Sequence, residues 1–361
     1  MRGHSNVQGQ RTVGITEKPS LVPLDKLAEQ YGFSPPREPG YNTVEACEAI
    51  LDGKIRAFFM LGGNFVRAIP DRDRMEPAWR RMRLTVNVAT KLNRSHLVHG
   101  EISFVLPVIG RIERDEQASG VQAVSMEDST SCIHGSRGVR KPASRHLISE
   151  VKLVAELAKA TLEPNPKVPW DDWVADYSHI RASIAEIYPD IFHGYERRMW
   201  EPGGFHRRLA ARERVWKTKT GKANFITPRG LDEDLDMPEV GHDVLQMITL
   251  RSNDQFNTTI YGYTDRFRGV HGTRMVALMH RDDIDRLGLT EGAEVTLATE
   301  ANDGIRREMA GFRVTPYNIP VGCLAAYYPE ANALIPVWHY AKGSKTPAAK
   351  SIPVRVYRQA S

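Results

Sequence analysis

The chain has 361 residues, of which 41% are hydrophobic and 26% charged, with a formal net charge of +5. This length is enough for two domains with sizeable cores, and the composition is that of an ordinary globular protein. No apolar run is long enough to span a bilayer, so the sequence excludes a transmembrane helix. The modest positive charge fits an anionic ligand and does not by itself indicate nucleic acid.

The three cysteines, Cys47, Cys132 and Cys323, lie far apart, and no CxxC motif occurs. The sequence therefore predicts no local zinc or iron–sulfur site, and its cysteine usage is typical of a reducing compartment. No apolar targeting segment is visible near the N-terminus, and the Arg-Arg pairs are internal. We therefore expect a cytoplasmic protein without a membrane contact.

The first forty residues are irregular and rich in glycine, proline and polar residues. The segment RGHSNVQG at residues 2–9 has the composition of a binding or catalytic site. A disordered tail is an equally good interpretation of the same residues.

From Thr43 onward the pattern alternates between helices and strands. We predict a helix at 43–54, with Thr43 as its N-cap, followed by a buried strand at 55–61. A second helix is predicted at 73–83, and two further strands at 84–89 and 102–107. Strands and helices that alternate at this spacing indicate a parallel sheet with right-handed crossovers.

Polar residues follow two of these strands. Gly62, Gly63 and Asn64 follow the first, and the segment 90–96, with Lys91 and Arg94, follows the second. Ligands of open parallel sheets bind outside the carboxyl ends of the strands, and glycine lets a ligand approach the backbone closely. A plain turn is the simpler interpretation of Gly-Gly-Asn alone, but two polar strand ends on one edge favour a nucleotide-like ligand.

The middle of the chain offers weaker signals. Glu113, Asp115 and Glu116 are candidate acid or base groups, although a solvated acidic turn is the better interpretation. Helices are predicted at 150–162 and 170–187. The basic segment 197–222 is either a nucleic-acid or phosphate surface or an exposed face, and the modest overall charge favours the exposed face.

An acidic, proline-containing segment at 231–241 is the best candidate for a linker. After it the chain changes to short strands, at 245–250, 276–279, 294–299, 309–315, 322–326 and 352–357, with one short helix at 281–287. Short strands separated by turn signals predict a β-barrel.

The first barrel strand leads into the most polar loop of the chain. The apolar residues 245–250 are followed by Arg251, Ser252, Asn253, Asp254, Gln255, Asn257, Thr258 and Thr259. Arginine can grip a phosphate with two parallel N–H bonds, and the hydroxyl and amide groups can hold a large polar ligand. For such a loop alone, a polar surface turn is the usual interpretation.

Several of these segments together resemble a known family. They are RSNDQFNTTIY at 251–261, the helix–glycine corner at 283–295, YYPEAN at 327–332, TPAAK at 346–350, TKLNRSH at 90–96, LGGNF at 61–65 and RGHSNVQG at 2–9. The chain is similar to the C-terminal half of formate-dehydrogenase-like molybdopterin oxidoreductase alpha subunits, in the dimethyl-sulfoxide-reductase superfamily.

The resemblance implies a molybdenum-dependent oxidoreductase of formate dehydrogenase type that holds molybdenum between two molybdopterin guanine dinucleotides. It implies an α/β molybdopterin-dinucleotide-binding region at 1–230, with an irregular N-terminal segment and a helical extension, a linker at 231–241, and a six-stranded double-psi-type barrel at 242–361. No iron–sulfur cluster and no protein ligand to the metal are expected within this chain.

The resemblance also implies cofactor contacts. At the strand ends these are Gly62, Gly63, Asn64, Thr90, Lys91 and Asn93. On the barrel side they are Arg251, Ser252, Gln255, Asn257, Thr258, Thr259, Asn332 and Lys350, and nearer the metal they are Arg2, His4 and Asn6.

Because the family pattern starts before RGHSNVQG, the resemblance implies a truncated or split subunit that is inactive alone. The alternative is a non-catalytic cofactor-binding fragment that needs a separate N-terminal half. The expected partners are that missing half or a companion subunit and a small-molecule substrate. Formate is only the family's label for that substrate, and no catalytic residue is assigned.

Overall fold

The computed structural model describes residues 7–227, 241–258 and 260–358. The chain divides into two compact units, each built from two stretches. The first unit joins Met1–Gly40 to Pro107–Thr227, and the second joins Tyr41–Leu106 to Pro228–Ser361. The predicted linker lies outside the described residues, apart from Gly241, and the predicted domain bounds stay predictions.

The first stretch of the first unit is helical. It contains α1 (Val7–Thr12), a 3₁₀ turn at Pro19–Leu21 and α2 (Leu24–Tyr31). Helix α2 ends at Gly32, whose left-handed backbone (φ 66°) closes the last turn.

The first stretch of the second unit is the predicted α/β alternation. Its elements are α3 (Thr43–Leu51), β1 (Ala57–Leu61), α4 (Phe65–Ala68), α5 (Arg72–Arg80), β2 (Leu84–Ala89), a 3₁₀ turn at Arg94–His96 and β3 (Ile102–Pro107). The sheet order is β1-β2-β3, and β1 pairs with β2 in parallel. The predicted bounds of β2 and β3 are confirmed.

Two details of this stretch differ from the prediction. The N-cap of α3 is Asn42 rather than Thr43, because the Asn42 side chain accepts hydrogen bonds from the backbone N–H groups of Val44 and Glu45. Strand β1 is not buried throughout. Met60 packs inward, but Phe59 and Leu61 are 40% and 49% exposed on the opposite face.

The second stretch of the first unit holds short strands followed by helices. They are β4 (Glu116–Gln117), β5 (Gly120–Val121), β6 (Val124–Glu127), β7 (Cys132–Ser136), α6 (Glu150–Thr161), α7 (Trp170–Ala175), α8 (Tyr177–Ile187), α9 (Pro189–Phe192), α10 (Tyr195–Arg198) and β8 (Phe205–His206). The single helix predicted at 170–187 is wrong. Asp176 has an extended backbone, and its side chain accepts from the Ser178 N–H, which ends α7 and starts α8.

The basic segment 197–222 makes many bonds within its own unit. Arg207 donates to the buried carboxylate of Glu127 at 3.0 Å, and Arg208 pairs with Glu213 at 2.7 Å. The guanidinium carbon of Arg198 lies 4.1 Å from the centroid of the Phe205 ring. These contacts agree with the exposed-face interpretation of the segment.

The rest of the second unit forms a closed barrel. Its elements are β9 (Val244–Leu250), β10 (Val276–Met279), α11 (Arg281–Arg286), β11 (Glu294–Thr299), β12 (Glu308–Pro316), β13 (Cys323–Tyr327), a 3₁₀ turn at Glu330–Leu334, the hairpin β14 (Tyr340–Ala341) and β15 (Thr346–Pro347), and β16 (Ile352–Arg358). The order around the barrel is β10-β12-β11-β16-β9-β13. The predicted six-stranded barrel is confirmed.

The barrel is stabilised by alternating inward side chains. Leu245 and Met247 on β9, Val295 and Leu297 on β11, and Phe312 on β12 are fully or nearly fully buried in one apolar cluster. Two strand pairs are parallel, β10 with β12 and β9 with β13, and the remaining pairs are antiparallel. Among the described residues, no helix has both the length and the apolar character that a membrane crossing requires.

Candidate functional site

The turn after β1 needs glycine at two successive positions. Gly62 and Gly63 have φ angles of 71° and 78°, in the left-handed region that side chains disfavour. A Cβ atom added to either glycine would meet no heavy atom within 4 Å. The backbone at this strand end therefore faces open space that a ligand can occupy.

A cavity of about 200 Å³ lies at this point of the second unit. Its lining includes Gly62, Gly63, Thr90, Lys91 and Asn93 from the two strand ends, together with Ile260 from the loop after β9. The structure thus brings these predicted strand-end residues together. Thr90 and Lys91 are exposed, and Lys91 makes no ion pair or side-chain hydrogen bond with any residue that the structure describes.

Asn93 holds the two strand ends against each other. Its side-chain NH₂ donates to the Gly63 carbonyl at 2.8 Å, and its side-chain oxygen accepts from the Ser95 N–H at 3.0 Å. The Asn93 N–H donates to His96 Nδ1 at 3.0 Å. The shape of the cavity is therefore set by the protein before a ligand binds.

Asn64 joins the strand end to the barrel loop. Its side chain is 5% exposed, donates to the Thr258 carbonyl at 3.0 Å and accepts from the Ser95 hydroxyl at 2.9 Å. Its amide is thus occupied by protein groups, which places the backbone of the loop beside the glycine turn.

A buried arginine, which no local pattern in the sequence singles out, holds the loop after β9 in place. Arg274 is 3% exposed and donates to the Ser252 hydroxyl at 2.6 Å and to the Gln255 side-chain oxygen at 3.0 Å. Its guanidinium also pairs with Glu330 at 3.0 Å and donates to the Tyr328 carbonyl at 2.8 Å. Ser252 and Gln255, both predicted to bind ligand, are therefore positioned from within the barrel.

Arg251 and Lys350 place two cations close together on the barrel side. Arg251 donates to the Asn257 side-chain oxygen at 3.3 Å, and its guanidinium carbon lies 5.6 Å from the Tyr328 ring centroid. Lys350 donates to the Thr249 carbonyl. Partial burial, followed by the charge of Arg251, lowers the pKa of Lys350. An anion bound beside both groups would relieve this repulsion.

The remaining predicted residues fall into two groups. Asn332 is 4% exposed, and its side-chain NH₂ donates to the carbonyls of Arg67 and Ala68 at 3.0 and 3.1 Å, so it ties the turn after β13 to α4. Thr258 is buried and contributes its carbonyl to Asn64. Thr259, Arg2, His4 and Asn6 lie outside the described residues.

A second buried ionic group secures the helical layer to the barrel. Asp71 and Arg307, 2% and 3% exposed, form a two-pronged pair at 2.7 and 3.0 Å. Asp71 also accepts from the Val337 N–H at 3.2 Å. The sequence offered no local signal for this pair, because its members are 236 residues apart.

Within the described residues, no group of three or more His, Cys, Asp or Glu side chains is arranged to hold a metal ion. The site instead presents an open glycine turn, an exposed lysine and two neighbouring cations. This donor set fits the phosphates and polar rings of a large anionic cofactor held through its organic part.

Comparison with known proteins gives a family match for the barrel part of the chain. Residues 245–353 match the family model described as the Molydopterin dinucleotide binding domain. These residues include the loop after β9, Asn332 and Lys350. The strand ends at Gly62 and Thr90 lie outside the match.

Longer relatives match nearly the whole chain. The protein YdeP of Escherichia coli O6:H1 (strain CFT073) is 47% identical over 358 residues, which are 99% of this chain and 47% of YdeP. The uncharacterized oxidoreductase Rv2900c of Mycobacterium tuberculosis (strain H37Rv) is 45% identical over 361 residues, 99% of this chain and 46% of that protein. The chain thus spans about half the length of the curated relatives it matches.

Among solved structures, acetylene hydratase from Pelobacter acetylenicus shares the fold. The TM-score is 0.57 at 14% sequence identity, and the match covers 97% of this chain and 50% of that one. The comparisons thus show a region that matches the molybdopterin-dinucleotide-binding domain, within a chain that shares the fold of acetylene hydratase.

Proposed function

We propose that this chain binds molybdopterin guanine dinucleotide in the bis form and forms part of a molybdenum-dependent oxidoreductase of formate dehydrogenase type. The observation that carries the proposal is the cavity at the strand ends, which meets the polar loop of the matched domain. The oxidoreductase name of the Mycobacterium relative supports the reaction class.

Different residues of this site would hold different parts of the cofactor. The glycine turn at Gly62 and Gly63 would admit a nucleotide part close to the backbone, with Thr90 and Lys91 beside it. Arg251 and Lys350 would hold negatively charged oxygen atoms from the barrel side. When bound, the molybdenum centre supplies two-electron oxidation–reduction chemistry, and the protein supplies binding, orientation and electrostatics.

The direct test is metal and pterin analysis of the purified protein, compared with the Arg251→Ala variant. If Arg251 makes charge-assisted bonds to the cofactor, the variant should lose about 1.5–3 kcal/mol of binding, roughly a tenfold to hundredfold loss of affinity. Arg251→Lys should recover only part of this loss, because an ammonium lacks the planar fork of a guanidinium.

Arg306→Ala provides the matched control, because Arg306 is 82% exposed and pairs only with its neighbour Glu308 in the described structure. If the chain alone retains no cofactor, the experiment is done on the complex of the chain with its companion polypeptide. Equal retention by the wild type and both variants would remove Arg251 from the cofactor site.

The double-psi type of the barrel and the dinucleotide-binding role of the β1-β2-β3 sheet belong to the same proposal. The parallel pairs β10 with β12 and β9 with β13 support the first, because parallel neighbours in a small barrel require crossing connections. The cavity at the ends of β1 and β2 supports the second.

The partner we propose is a further polypeptide, equivalent to the unmatched half of the curated relatives, that covers the exposed outer strands on one face of the β1-β2-β3 sheet. On this face Phe59, Leu61, Ile102 and Phe104 are 40%, 49%, 47% and 52% exposed, whereas Val86 and Val88 of the central strand are buried. Parallel sheets are normally covered on both faces, so such a face favours an apolar helical layer from elsewhere. The catalytic substrate pocket and the metal ligand would then require that partner.

Co-expression tests this partner proposal. The chain should co-purify with the unmatched part of the E. coli relative, and the double variant Phe59→Glu/Phe104→Glu should abolish co-purification. Phe225→Glu/Ile226→Glu is the control, because these residues are 96% and 92% exposed and belong to the first unit rather than to the sheet. Equal recovery with both double variants would refute docking on this face.

Formate is the substrate we propose for the assembled enzyme. The chain alone should show no formate-dependent dye reduction, whereas the assembled protein should show it. If the assembled protein holds cofactor but is inactive with formate and with other small substrates, the alternative of a non-catalytic cofactor-binding chain is favoured.

A further inference from the structure

The first unit contains a second polar cavity, separate from the strand-end site. Its volume is about 580 Å³, and its walls are the segments 109–117 and 139–149 and the first turn of α6. The volume lies in the range of ordinary small-molecule sites. All of its lining residues belong to the first unit.

The cavity is unusually rich in cations without carboxylate partners. Arg114, Lys141, Arg145 and Lys152 line it, together with the carboxyl groups of Asp115 and Glu116. In the described part of the chain, none of the four cations forms an ion pair. Elsewhere in the unit, cations such as Arg181 and Lys159 pair with Glu196 and Asp171.

Asp115 is held in place by hydrogen bonds from neutral groups of the protein. It accepts from the Tyr177 hydroxyl at 2.5 Å and from the Gln117 side chain at 2.5 Å. The Tyr177 hydroxyl also lies 2.7 Å from the hydroxyl of Ser149, the N-cap of α6. Burial first, and the bond to Asp115 second, raise the pKa of Tyr177, so it stays a neutral donor.

A further carboxylate bridges two of the segments that line the cavity. Glu113 accepts from the Gly110 N–H at 2.5 Å and from the Ala143 N–H at 2.6 Å. The backbone beside Lys141 and Arg145 is thereby tied to the segment that carries Arg114. The cations are thus presented from walls whose backbone is already fixed, which lowers the entropy cost of binding.

We propose that this cavity binds a small, multiply charged oxyanion of the phosphate or diphosphate class. Two guanidinium groups offer planar forks to phosphate oxygens, and two ammonium groups add charge. Four cations and only two carboxylates line the cavity, so it keeps an excess of positive charge that an anionic ligand would neutralise. The inference is independent of the cofactor site in the second unit.

Calorimetric titration of the full chain with inorganic diphosphate tests the inference. We expect binding that weakens as salt rises toward physiological ionic strength, because Arg114, Lys141 and Arg145 are solvent-exposed. The double variant Lys141→Gln/Lys152→Gln should weaken binding about tenfold or more, since each lysine removes a charge-assisted contact. The matched control Lys217→Gln/Lys219→Gln removes the same charge from exposed positions outside the cavity and should bind like the wild type.

Arg251→Ala separates this cavity from the cofactor site, and it should leave diphosphate binding in the first unit intact. Circular dichroism of each variant verifies that it is folded. Arg145→Gln provides a second variant of the cavity lining. The inference is overturned if the wild type does not bind diphosphate, if both lysine double variants weaken binding equally, or if Arg251→Ala alone abolishes it.

Discussion

Arg274 stabilises the barrel loop through an ionic pair that is almost completely removed from water. Its guanidinium and Glu330 are 3% and 8% exposed, and the same guanidinium reaches Ser252 and Gln255. Replacing one member of a buried pair leaves the other charge without its partner, which typically costs about 3–5 kcal/mol. We therefore expect Arg274→Ala to lower the free energy of unfolding of the second unit by about that amount, measured by chemical denaturation.

Two comparisons make this prediction specific. Arg306→Ala removes an exposed arginine and should cost at most about 1 kcal/mol. Arg274→Met combined with Glu330→Leu removes both charges and should be less destabilising than Arg274→Ala. A loss for Arg274→Ala no greater than that for Arg306→Ala would show that the buried pair contributes little.

The carboxylate of Asp303 should make the free energy of unfolding depend on pH. Burial alone would raise its pKa, but hydrogen bonds from Arg307 and Trp338 outweigh burial and lower the pKa from 3.8 to about 2. Because the folded-state pKa is the lower one, the contribution is present above about pH 4 and is lost as the pH falls toward 2. The difference in pKa corresponds to about 2 kcal/mol.

Asp303→Asn should therefore be less stable than the wild type at neutral pH. The difference in free energy of unfolding between the two proteins should disappear as the pH falls toward 2, as measured by denaturation at several pH values. Asp282→Asn is a suitable control, because the Asp282 side chain is 73% exposed. If the gap between wild type and Asp303→Asn were the same at neutral pH and near pH 2, the proposed linkage to Asp303 would be wrong.

At the level of single residues, the sequence predicted polar positions better than it predicted their partners. Asn64, Ser252 and Asn332 have side chains that suit a polar ligand, yet the structure gives each of them protein partners. The partner of Asn64 lies 194 residues away, so no local pattern could reveal it. By contrast, the local sequence alone explains the glycines at 62 and 63, because they form the tight turn at the end of a strand.

At the level of elements, local signals predicted most of the architecture. The barrel strands are short apolar runs separated by turn residues, and β10 and β11 have the predicted bounds. The error at 170–187 has a local cause, because the apolar period continues across Asp176 while its side chain starts a new helix. Periodicity reports which face is apolar and does not detect a cap inside the run.

The start of α3 provides an element-scale prediction. The Asn42 side chain caps the backbone N–H groups of Val44 and Glu45, and the Glu45 side chain returns to the Asn42 N–H at 3.2 Å. Asn42→Ala removes this capping box and should lower the free energy of unfolding by about 1 kcal/mol, within a range of about 0.5–2. Chemical denaturation monitored by circular dichroism measures the change.

Asn42→Asp is the matched control, since aspartate caps a helix about as well as asparagine and also favours the positive end of the helix dipole. It should therefore retain the wild-type stability. Equal destabilisation by alanine and aspartate would indicate that Asn42 acts through a contact other than the cap.

At the scale of the whole molecule, each compact unit joins two stretches that are distant in sequence. Composition can suggest a linker at 231–241, but it cannot show that the stretch Tyr41–Leu106 packs with residues beyond that linker. That association depends on long-range pairs such as Asp71 with Arg307. Non-local pairs of this kind leave no periodic pattern in the sequence.

This arrangement predicts how a cleaved chain behaves. If a specific protease site is placed within 231–241 and cut, the pieces on either side should elute together in native size-exclusion chromatography and separate in denaturant. The reason is that the α3-to-β3 stretch contacts the barrel through the buried Asp71–Arg307 pair, and through Asn64 with the Thr258 carbonyl. Arg307→Ala should weaken the association, because it leaves Asp71 buried without its main partner. Arg306→Ala, one position away but exposed, should not change the elution, and separate elution of the wild-type pieces under native conditions would contradict a unit built from both stretches.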